Sequence, residues 1–562
     1  MGYAMIWIEG LAAAGLLVAT VTALVARLTR RWLQIVLIAV AALFPLAAGV
    51  CFTIQMGMLI RWMGPAWFYY GVSWTILIAG GAVGVACLGL RRRRAEPVPA
   101  ASAWPRGKLG LALAAVTVLF VMTFWNMDLA MQNRLEAVRS QAGALALSVA
   151  PARVPDAENA APIYREAFIV MNQSGDPSPE WNEQWTAWIK QDDAAALNPA
   201  DPALLAYLKT QEPALALLRE AAGMSGCYFD RDYGRPSVSM LLPELSQFRN
   251  AAYLLALSAR AGAAAGNVRP AFDDIQAMLR MGKHVQSEPL LISALVAMAV
   301  DRAAVKTLEG VLESGEVKAD DLAGVRLRRS QFYNHALGRA FRMEEAFGTT
   351  IFADINRMAA GELREILGNG ADVDMRFGGG ASLGLMVWRV FLLPADLDFY
   401  SSGLRDYQNL TSLPFHEARE WRETLKNRLE TDRSGMGLIS ALLFPALSAC
   451  SEKAAQADAG RGLARLGLAA ARYRAEVGAC PKTLEELTPK FIPAIPPDPF
   501  DGKPLRMVTR DGAVIFYSIG SDMKDDGGAP WDNQKKSGDL TFRLASPTAK
   551  STPAPADATK AR

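Results

Sequence analysis

Five aspartates near the C-terminus carry the clearest chemical potential of this sequence. Three of them lie on one turn in the segment YSIGSDMKDDGG (517–528), just before two glycines. Ca²⁺ takes about six to eight oxygen ligands from carboxylates and carbonyls on flexible turns, and glycines let the backbone bend around an ion. The segment therefore predicts a calcium site, with a solvated acidic turn as the alternative. The predicted ligands are Asp522, Asp525, Asp526, Asp532 and Asp539.

Catalytic motifs are absent from the sequence. The only histidines are His284, His335 and His416, and none has a metal-ligating partner at a suitable spacing. HEARE (416–420) lacks the second histidine of a zinc-protease helix, and FGGG (377–380) lacks the G-K-[ST] of a phosphate loop. A non-enzymatic protein is therefore favoured. The alternative is a hydrolase whose site is assembled from carboxylates of the helical region.

The N-terminal quarter of the chain is rich in long apolar runs. About 18 consecutive apolar residues suffice to cross a bilayer as a helix, and four such runs occur, at 5–27, 32–54, 66–90 and 109–127. Buried helices of a large soluble core are the alternative. These runs predict four transmembrane helices that act as anchors, since transport usually requires ionisable residues at membrane depth.

Arginines between these runs predict the orientation. Arg27, Arg30 and Arg31 follow the first run, and Arg91–Arg94 follow the third. Basic loops tend to stay in the cytoplasm, so the N-terminus and everything after the fourth run should lie outside it. The sequence thus predicts a multi-pass protein of the bacterial inner membrane, with the lipid bilayer as a partner. The net charge of +3 gives no indication of nucleic-acid binding.

Residues 128–434 are rich in alanine and leucine with helical spacing. The clearest unit is Arg249–Asn267 followed by Val268–Gln286, in which Phe272, Ile275, Leu279 and Gly282 form one stripe. The pattern predicts a helical hairpin with a turn at Gly266 and Asn267. It resembles a tetratricopeptide-type unit, which implies a peptide-binding scaffold and a protein partner.

The C-terminal part mixes one long helix with short strands. Periodicity predicts a helix over Gly437–Val477, and a capping-box pattern at Thr483 and Glu486 predicts a short helix after it. Two strands, LRMVT (505–509) and AVIFYSI (513–519), flank a sequence containing Asp-Gly, a strong hairpin signal. The tail after Ser546 has a composition typical of disorder.

The order of these parts is similar to that of a known family. The segments ARYRAEVGACPKTLEEL, IPPDPFDGKPL and IFYSIGSDMKDDGG, within residues 437–544, resemble the C-terminal half of the major pseudopilin of type II secretion. The resemblance implies a non-enzymatic protein with a calcium-binding loop. The chain departs from that family because the similar part follows four apolar runs instead of one N-terminal helix, so fibre assembly does not carry over.

Together these patterns predict a mainly α protein. Residues 1–127 would form four transmembrane helices, 128–434 an extracytoplasmic all-helical domain, 435–546 a small α+β pseudopilin-like domain, and 547–562 a disordered tail. The expected function is that of a membrane-anchored protein-interaction or assembly protein, linked to a secretion or pilus-like system.

Overall fold

The computed structural model describes residues 129, 133–173, 198–235, 242–314, 317–322, 325, 327, 332–355, 393–431, 440–532 and 534–545. The chain divides into two compact units. One comprises Met1–Ala137, Phe352–Phe399 and Asp432–Ala441, and the other comprises Val138–Ile351, Tyr400–Thr431 and Leu442–Arg562. Within the first unit, Arg134 pairs with Asp398 at 3.4 Å, and the Asp396 carboxylate accepts a hydrogen bond from the backbone N–H of Ser440.

Helices account for most of the described chain. A helical stretch at 133–149 precedes them. The following helices are α1 (Ala161–Gln173), α2 (Pro202–Thr210), α3 (Glu212–Gly223), α4 (Pro243–Ala264), α5 (Val268–Gln286), α6 (Leu291–Ser314), α7 (Phe332–Ile355), α8 (Leu393–Leu410), α9 (Arg419–Thr431) and α10 (Ser440–Val477).

The predicted helical hairpin is confirmed as α4 and α5. Gly266, at φ +84°, supplies the left-handed conformation that ends α4, which is a conformation that glycine adopts without a steric penalty. Phe272 and Ile275 of the predicted stripe are fully buried. α5 packs against α3, α4 and α6, and α4 also packs against α6. Three helices therefore hold α5 in place.

The predicted C-terminal helix is confirmed as α10, which runs for 38 residues. Its buried face includes Leu463, Leu466 and Ala470. Two residues before Leu463, the guanidinium of Arg461 forms an ion pair with Asp301 of α6. The hydroxyl of Tyr333 donates a hydrogen bond to the same carboxylate. All three side chains are buried, so this polar contact joins α6, α7 and α10 inside the core.

An antiparallel sheet follows α10, with strands β1 (Arg506–Arg510), β2 (Ala513–Ser518) and β3 (Leu540–Ala545) in that order. The β1–β2 hairpin predicted from Asp-Gly is confirmed. Asp511 and Gly512 have φ of 50° and 68° between the paired Arg510 and Ala513, as a two-residue type I′ turn requires. β3 was not predicted, and it pairs with β2 along its whole length.

One hydrophobic core joins the helices to the sheet. Its members come from both sides of the domain boundary predicted at residues 434 and 435, which itself lies outside the described residues. The sheet therefore buries its apolar face against helices of the central region as well as against α10. The large members include Phe272, Ile275, Leu308, Val311, Leu463, Leu466, Phe516, Phe542 and Leu544.

The predicted transmembrane architecture is contradicted by the structure. Within the described residues, no helix has both the length and the apolar composition needed to cross a bilayer. α10 is 38 residues long, but charged residues recur along it from Glu452 to Glu476. The fold class is corrected to a mainly helical protein with a small antiparallel sheet. The same finding contradicts the predicted localisation as a multi-pass protein of the inner membrane. The four predicted spans, 5–27, 32–54, 66–90 and 109–127, lie outside the described residues.

Two glycines of α10 provide a test of how closely the helix and the sheet pack. A Cβ atom at Gly467 would overlap the ring of Phe542 in β3, whereas a Cβ atom at Gly460 would meet nothing within 4 Å. We expect Gly467→Ala to lower the free energy of unfolding by about 1–3 kcal/mol through overpacking. Gly460→Ala should raise it by about 0.5–1 kcal/mol, because alanine is the better helix former.

Urea unfolding followed by far-ultraviolet circular dichroism would measure both changes. Equal effects of the two substitutions would show that the sheet does not pack on α10 at Gly467.

Candidate functional site

The two sequence motifs of the C-terminal part meet at one buried carboxylate. Asp498, in the segment DPFDG, is fully buried and accepts hydrogen bonds from the Ser518 hydroxyl at 2.8 Å and the Ile519 N–H at 3.0 Å. It also accepts the N–H of Phe500 at 3.0 Å, which closes its own loop. The carboxylate thereby fastens the DPFDG loop to the end of β2, where the acidic turn begins.

A guanidinium lies at the centre of the acidic cluster. Arg506 of β1 contacts Asp498 at 3.2 Å, Asp501 at 2.6 Å and Asp525 at 3.1 Å, each through a different nitrogen. Three carboxylates therefore share one internal cation. These contacts raise the pKa of Arg506 against the opposing effect of its burial. Arginine suits this position because its planar fork can address several carboxylates at once.

The five predicted calcium ligands mostly serve backbone N–H groups in this structure. Asp539 is buried and accepts the N–H of Gly528 at 2.7 Å, and Asp522 accepts the N–H of Gly538 at 3.3 Å. Asp525 lies against Arg506, as described above. Asp532 accepts from residues 534 and 535 on a separate turn, and Asp526 is an exposed residue whose N–H bonds to Asp539.

In the described part of the chain, no group of three or more histidine, cysteine, aspartate or glutamate side chains is placed to hold a metal ion. The carboxylates of the acidic turn thus do not form a preorganised calcium site here, because they accept hydrogen bonds from backbone N–H groups and contact Arg506. Calcium binding by these residues remains a prediction.

A pocket of about 200 Å³ brings a thiol and an imidazole together among its lining residues. Cys227 and His284 both line it and both are buried. Burial raises the pKa of the Cys227 thiol and lowers the pKa of His284 to about 4, so both groups are neutral near pH 7. The His284 Nδ1 atom is engaged by the Tyr164 hydroxyl at 3.0 Å. An activated cysteine needs a lowered pKa, so this pocket gives no support to the hydrolase alternative.

One cation at this pocket, Arg339, has a structural role. Arg339 of α7 donates to the carbonyl oxygens of Val149 and Ser287, both at 3.3 Å. Val149 ends one helical stretch, and Ser287 follows the last residue of α5. Helix C-termini carry partial negative charge, so Arg339 stabilises two of them at once.

A larger cleft, of about 300 Å³, lies between α3 and the N-terminal half of α5. Behind its polar residues lie Ala222, Phe272 and Ala277, which are almost fully buried in the core. Its polar wall is one stripe of α5, Arg269, Asp273, Gln276 and Arg280, which we call the α5 stripe. The spacing of four, three and four residues places all of them on one helix face.

The charges of this cleft are unequally compensated. Arg219 of α3 is fully used, because it pairs with Asp274 at 2.6 Å and Glu212 at 3.0 Å. Arg269 donates only to the carbonyl of Asp320, at 3.3 Å, and its nearest carboxylate, Asp273, is 3.7 Å away.

Two cations further along α5 lack such partners. Arg280, at the end of the stripe, is exposed and makes no hydrogen bond or ion pair within the described chain. Lys283, one turn further along α5, is in the same situation. Of these two, Arg280 lines the cleft and Lys283 lines the smaller pocket, so the cleft offers at Arg280 a cation that the described residues do not pair.

The sequence patterns did not predict this cleft. It identified the apolar stripe of the same helix, Phe272, Ile275, Leu279 and Gly282, which α5 turns toward its neighbours. The polar stripe has the same helical spacing and could have been found by asking which face of the helix the apolar stripe leaves exposed. The depth of the cleft depends on α3, which lies about fifty residues earlier in the chain. No local sequence pattern predicts that contact.

No protein-family model, curated protein or solved structure matches this chain. The resemblances to pseudopilins and to tetratricopeptide-type hairpins thus remain predictions from motif order and spacing. The function has to be argued from the geometry.

Removing the shared cation should destabilise the C-terminal part. We expect Arg506→Gln to lower the free energy of unfolding by about 3 kcal/mol, because buried carboxylates lose their partner. Lys535→Gln is the matched control, since Lys535 makes only an exposed contact with Asp532, and it should leave stability unchanged. Urea unfolding in chelator measures both.

Equal stability of Arg506→Gln and the native chain would contradict a role for Arg506 as the internal cation. The same unfolding series repeated in calcium addresses the predicted ion site, because a ligand that binds only the folded state raises its stability.

A partly buried carboxyl on α7 should make stability depend on pH. Burial raises the pKa of Glu344 from 4.5 to about 7, against an opposing hydrogen bond with the backbone of Leu291. The folded chain therefore holds this proton more tightly than the unfolded chain, so stability falls as the pH rises from about 4.5 to about 7. Glu344→Gln should remove this loss and raise stability at pH 8 by about 2–3 kcal/mol.

Chemical unfolding of the native chain and of Glu344→Gln at pH 4.5 and pH 8 would measure the change. The gap between their free energies of unfolding should differ between the two pH values. A constant offset between the two proteins at both pH values would refute the raised pKa.

Proposed function

We propose that this chain is a non-catalytic protein-interaction scaffold that binds a partner protein in the cleft between α3 and α5. The observation that carries the proposal is the cleft itself. It sets an arginine-bearing wall beside a floor of buried core residues, on a helix that three other helices hold in place. Protein interfaces are enriched in arginine.

The rigidity of the wall supports the same function. A site built on packed helices is positioned more accurately than one built on loops. α5 contacts α3, α4 and α6, and its polar stripe forms one wall of the cleft, with α3 as the other wall. The helical-hairpin resemblance found in the sequence is consistent with this use of the fold. The similarity of the C-terminal part to pseudopilins makes a secretion or pilus-like system the context in which we would look for the partner.

A photo-crosslinking experiment tests the proposal in cells of the native organism. p-Benzoylphenylalanine would replace Asp273, whose side chain is 63% exposed on the α5 stripe, and in a separate strain Arg249, which is exposed on α4 outside the cleft. We expect a discrete adduct from position 273 that is absent from position 249. Filling the cleft by Gln276→Trp should abolish the adduct.

The same adducts from both positions, or none from position 273, would refute the cleft as the binding site. Circular dichroism of the Gln276→Trp protein checks that the scaffold remains folded.

A further inference from the structure

The α5 stripe also indicates what chemistry its ligand must have. We infer that the cleft binds an extended, acidic peptide segment of a partner protein, with two carboxylates that engage Arg269 and Arg280. The inference rests on the proposed function and adds the class of ligand to it.

The first step is the charge of the wall. The α5 stripe has two cations, Arg269 and Arg280, and one carboxylate, Asp273. Arg280 has no partner in the described chain, and Arg269 gives one hydrogen bond, to a carbonyl, and lies 3.7 Å from Asp273. By contrast, Arg219 on the opposite side is saturated by two carboxylates and a hydroxyl. The two walls therefore differ, and only the α5 wall has donors left for a ligand.

The helix itself adds to this asymmetry. α5 begins at Val268 and has no acidic residue in its first turn. The N-terminal end of a helix carries partial positive charge, and Arg269 lies in that first turn. An anionic group beside Arg269 would gain from both, because the first N–H groups of a helix lack intrahelical partners.

The second step is the spacing. Arg269 and Arg280 are eleven residues apart, which corresponds to about 16 Å along the helix axis and almost exactly three turns. Both therefore project from the same face, with Asp273 and Gln276 between them. An extended chain rises about 3.3 Å per residue, and its side chains alternate between two faces. Two acidic side chains at positions i and i+4 therefore lie on one face about 13 Å apart, and the long arginine side chains span the remaining distance.

The third step is the floor between the arginines. Phe272 and Ala277 are buried and lie beside the stripe, and Val325 closes the cleft from another segment. These residues expose almost no area of their own, so the floor suits small side chains in the middle of the peptide. Asp273 would favour a hydrogen-bond donor there and would oppose a uniformly anionic ligand such as a nucleic-acid backbone.

Arginine is well suited to such recognition. Its guanidinium binds a carboxylate through two parallel hydrogen bonds, which gives direction as well as energy. Exposed ion pairs contribute little when isolated, so affinity would depend on both arginines acting together. This requirement makes the spacing of the acidic residues a specific expectation.

Fluorescence anisotropy with the full-length chain tests the inference. The probe is a labelled peptide with glutamates at i and i+4 around alanine and serine, and the comparison peptides carry adjacent glutamates or two lysines. We expect the spaced peptide to bind about tenfold more tightly than either comparison peptide, and more weakly as salt rises. Arg269→Glu and Arg280→Glu should each weaken its binding about tenfold.

Arg302→Glu is the matched control, because Arg302 is exposed on α6 and does not line the cleft. It should leave binding unchanged. A lysine-containing peptide should gain affinity for the Arg269→Glu, Arg280→Glu double variant, a reversal that a loss of folding cannot produce.

Three outcomes would overturn the inference. These are equal affinity for acidic and basic peptides, an equal effect of Arg302→Glu, or tighter binding of a single-stranded oligonucleotide than of the spaced peptide. If the photo-crosslink from position 273 forms while the peptides show no preference, the scaffold function stands and the acidic-ligand inference fails. If that crosslink is absent as well, the proposed function itself fails.

Discussion

The contact between Gly467 of α10 and Phe542 of β3 sets the distance between helix and sheet. A methyl group at position 467 would overlap the phenylalanine ring, and at Gly462 a Cβ atom would approach the Leu505 side chain at 2.8 Å. Protein cores are packed as densely as organic crystals, so such a position has no tolerance. The sheet can close over α10 only because these two positions lack side chains, and the shared hydrophobic core depends on that closure.

The shared core changes how the C-terminal part should be understood. Its motif order resembles that of an independent pseudopilin-like domain, yet its sheet buries residues against α5 and α6 of the central region as well as against α10. Arg474 reinforces this connection by donating to the carbonyl oxygens of Leu312 in α6 and Ala545 in β3. The isolated segment would expose that surface, so its behaviour would not represent the whole chain.

Charge is handled differently in the three parts of the described structure. Inside the core, Arg461 and Asp301 pair where both side chains are buried, and removal of either partner would leave a buried charge uncompensated. Beside the acidic turn, one arginine contacts three aspartates, so this cluster contains a cation of its own. On α5, cationic groups remain without partners. This contrast is why the α5 stripe, and not the acidic turn, is the better candidate for a ligand.

The sequence by itself determined the local elements. Periodicity predicted α5 and α10, Asp-Gly predicted the β1–β2 turn, and Gly266 marked the end of α4, because each of these depends on residues close together in the chain. β3 was missed because its pairing partner, β2, lies more than twenty residues earlier and the strand carries no turn signal of its own. The four transmembrane helices were predicted from apolar runs alone, and the described structure contains no helix able to cross a bilayer.

Only the tertiary structure decided the sites. It placed Arg506 among Asp498, Asp501 and Asp525, and it set α3 opposite the polar stripe of α5. The physical reason is the same in both cases: the charge that a side chain faces depends on which distant residues fold against it, and no spacing along the chain contains that information.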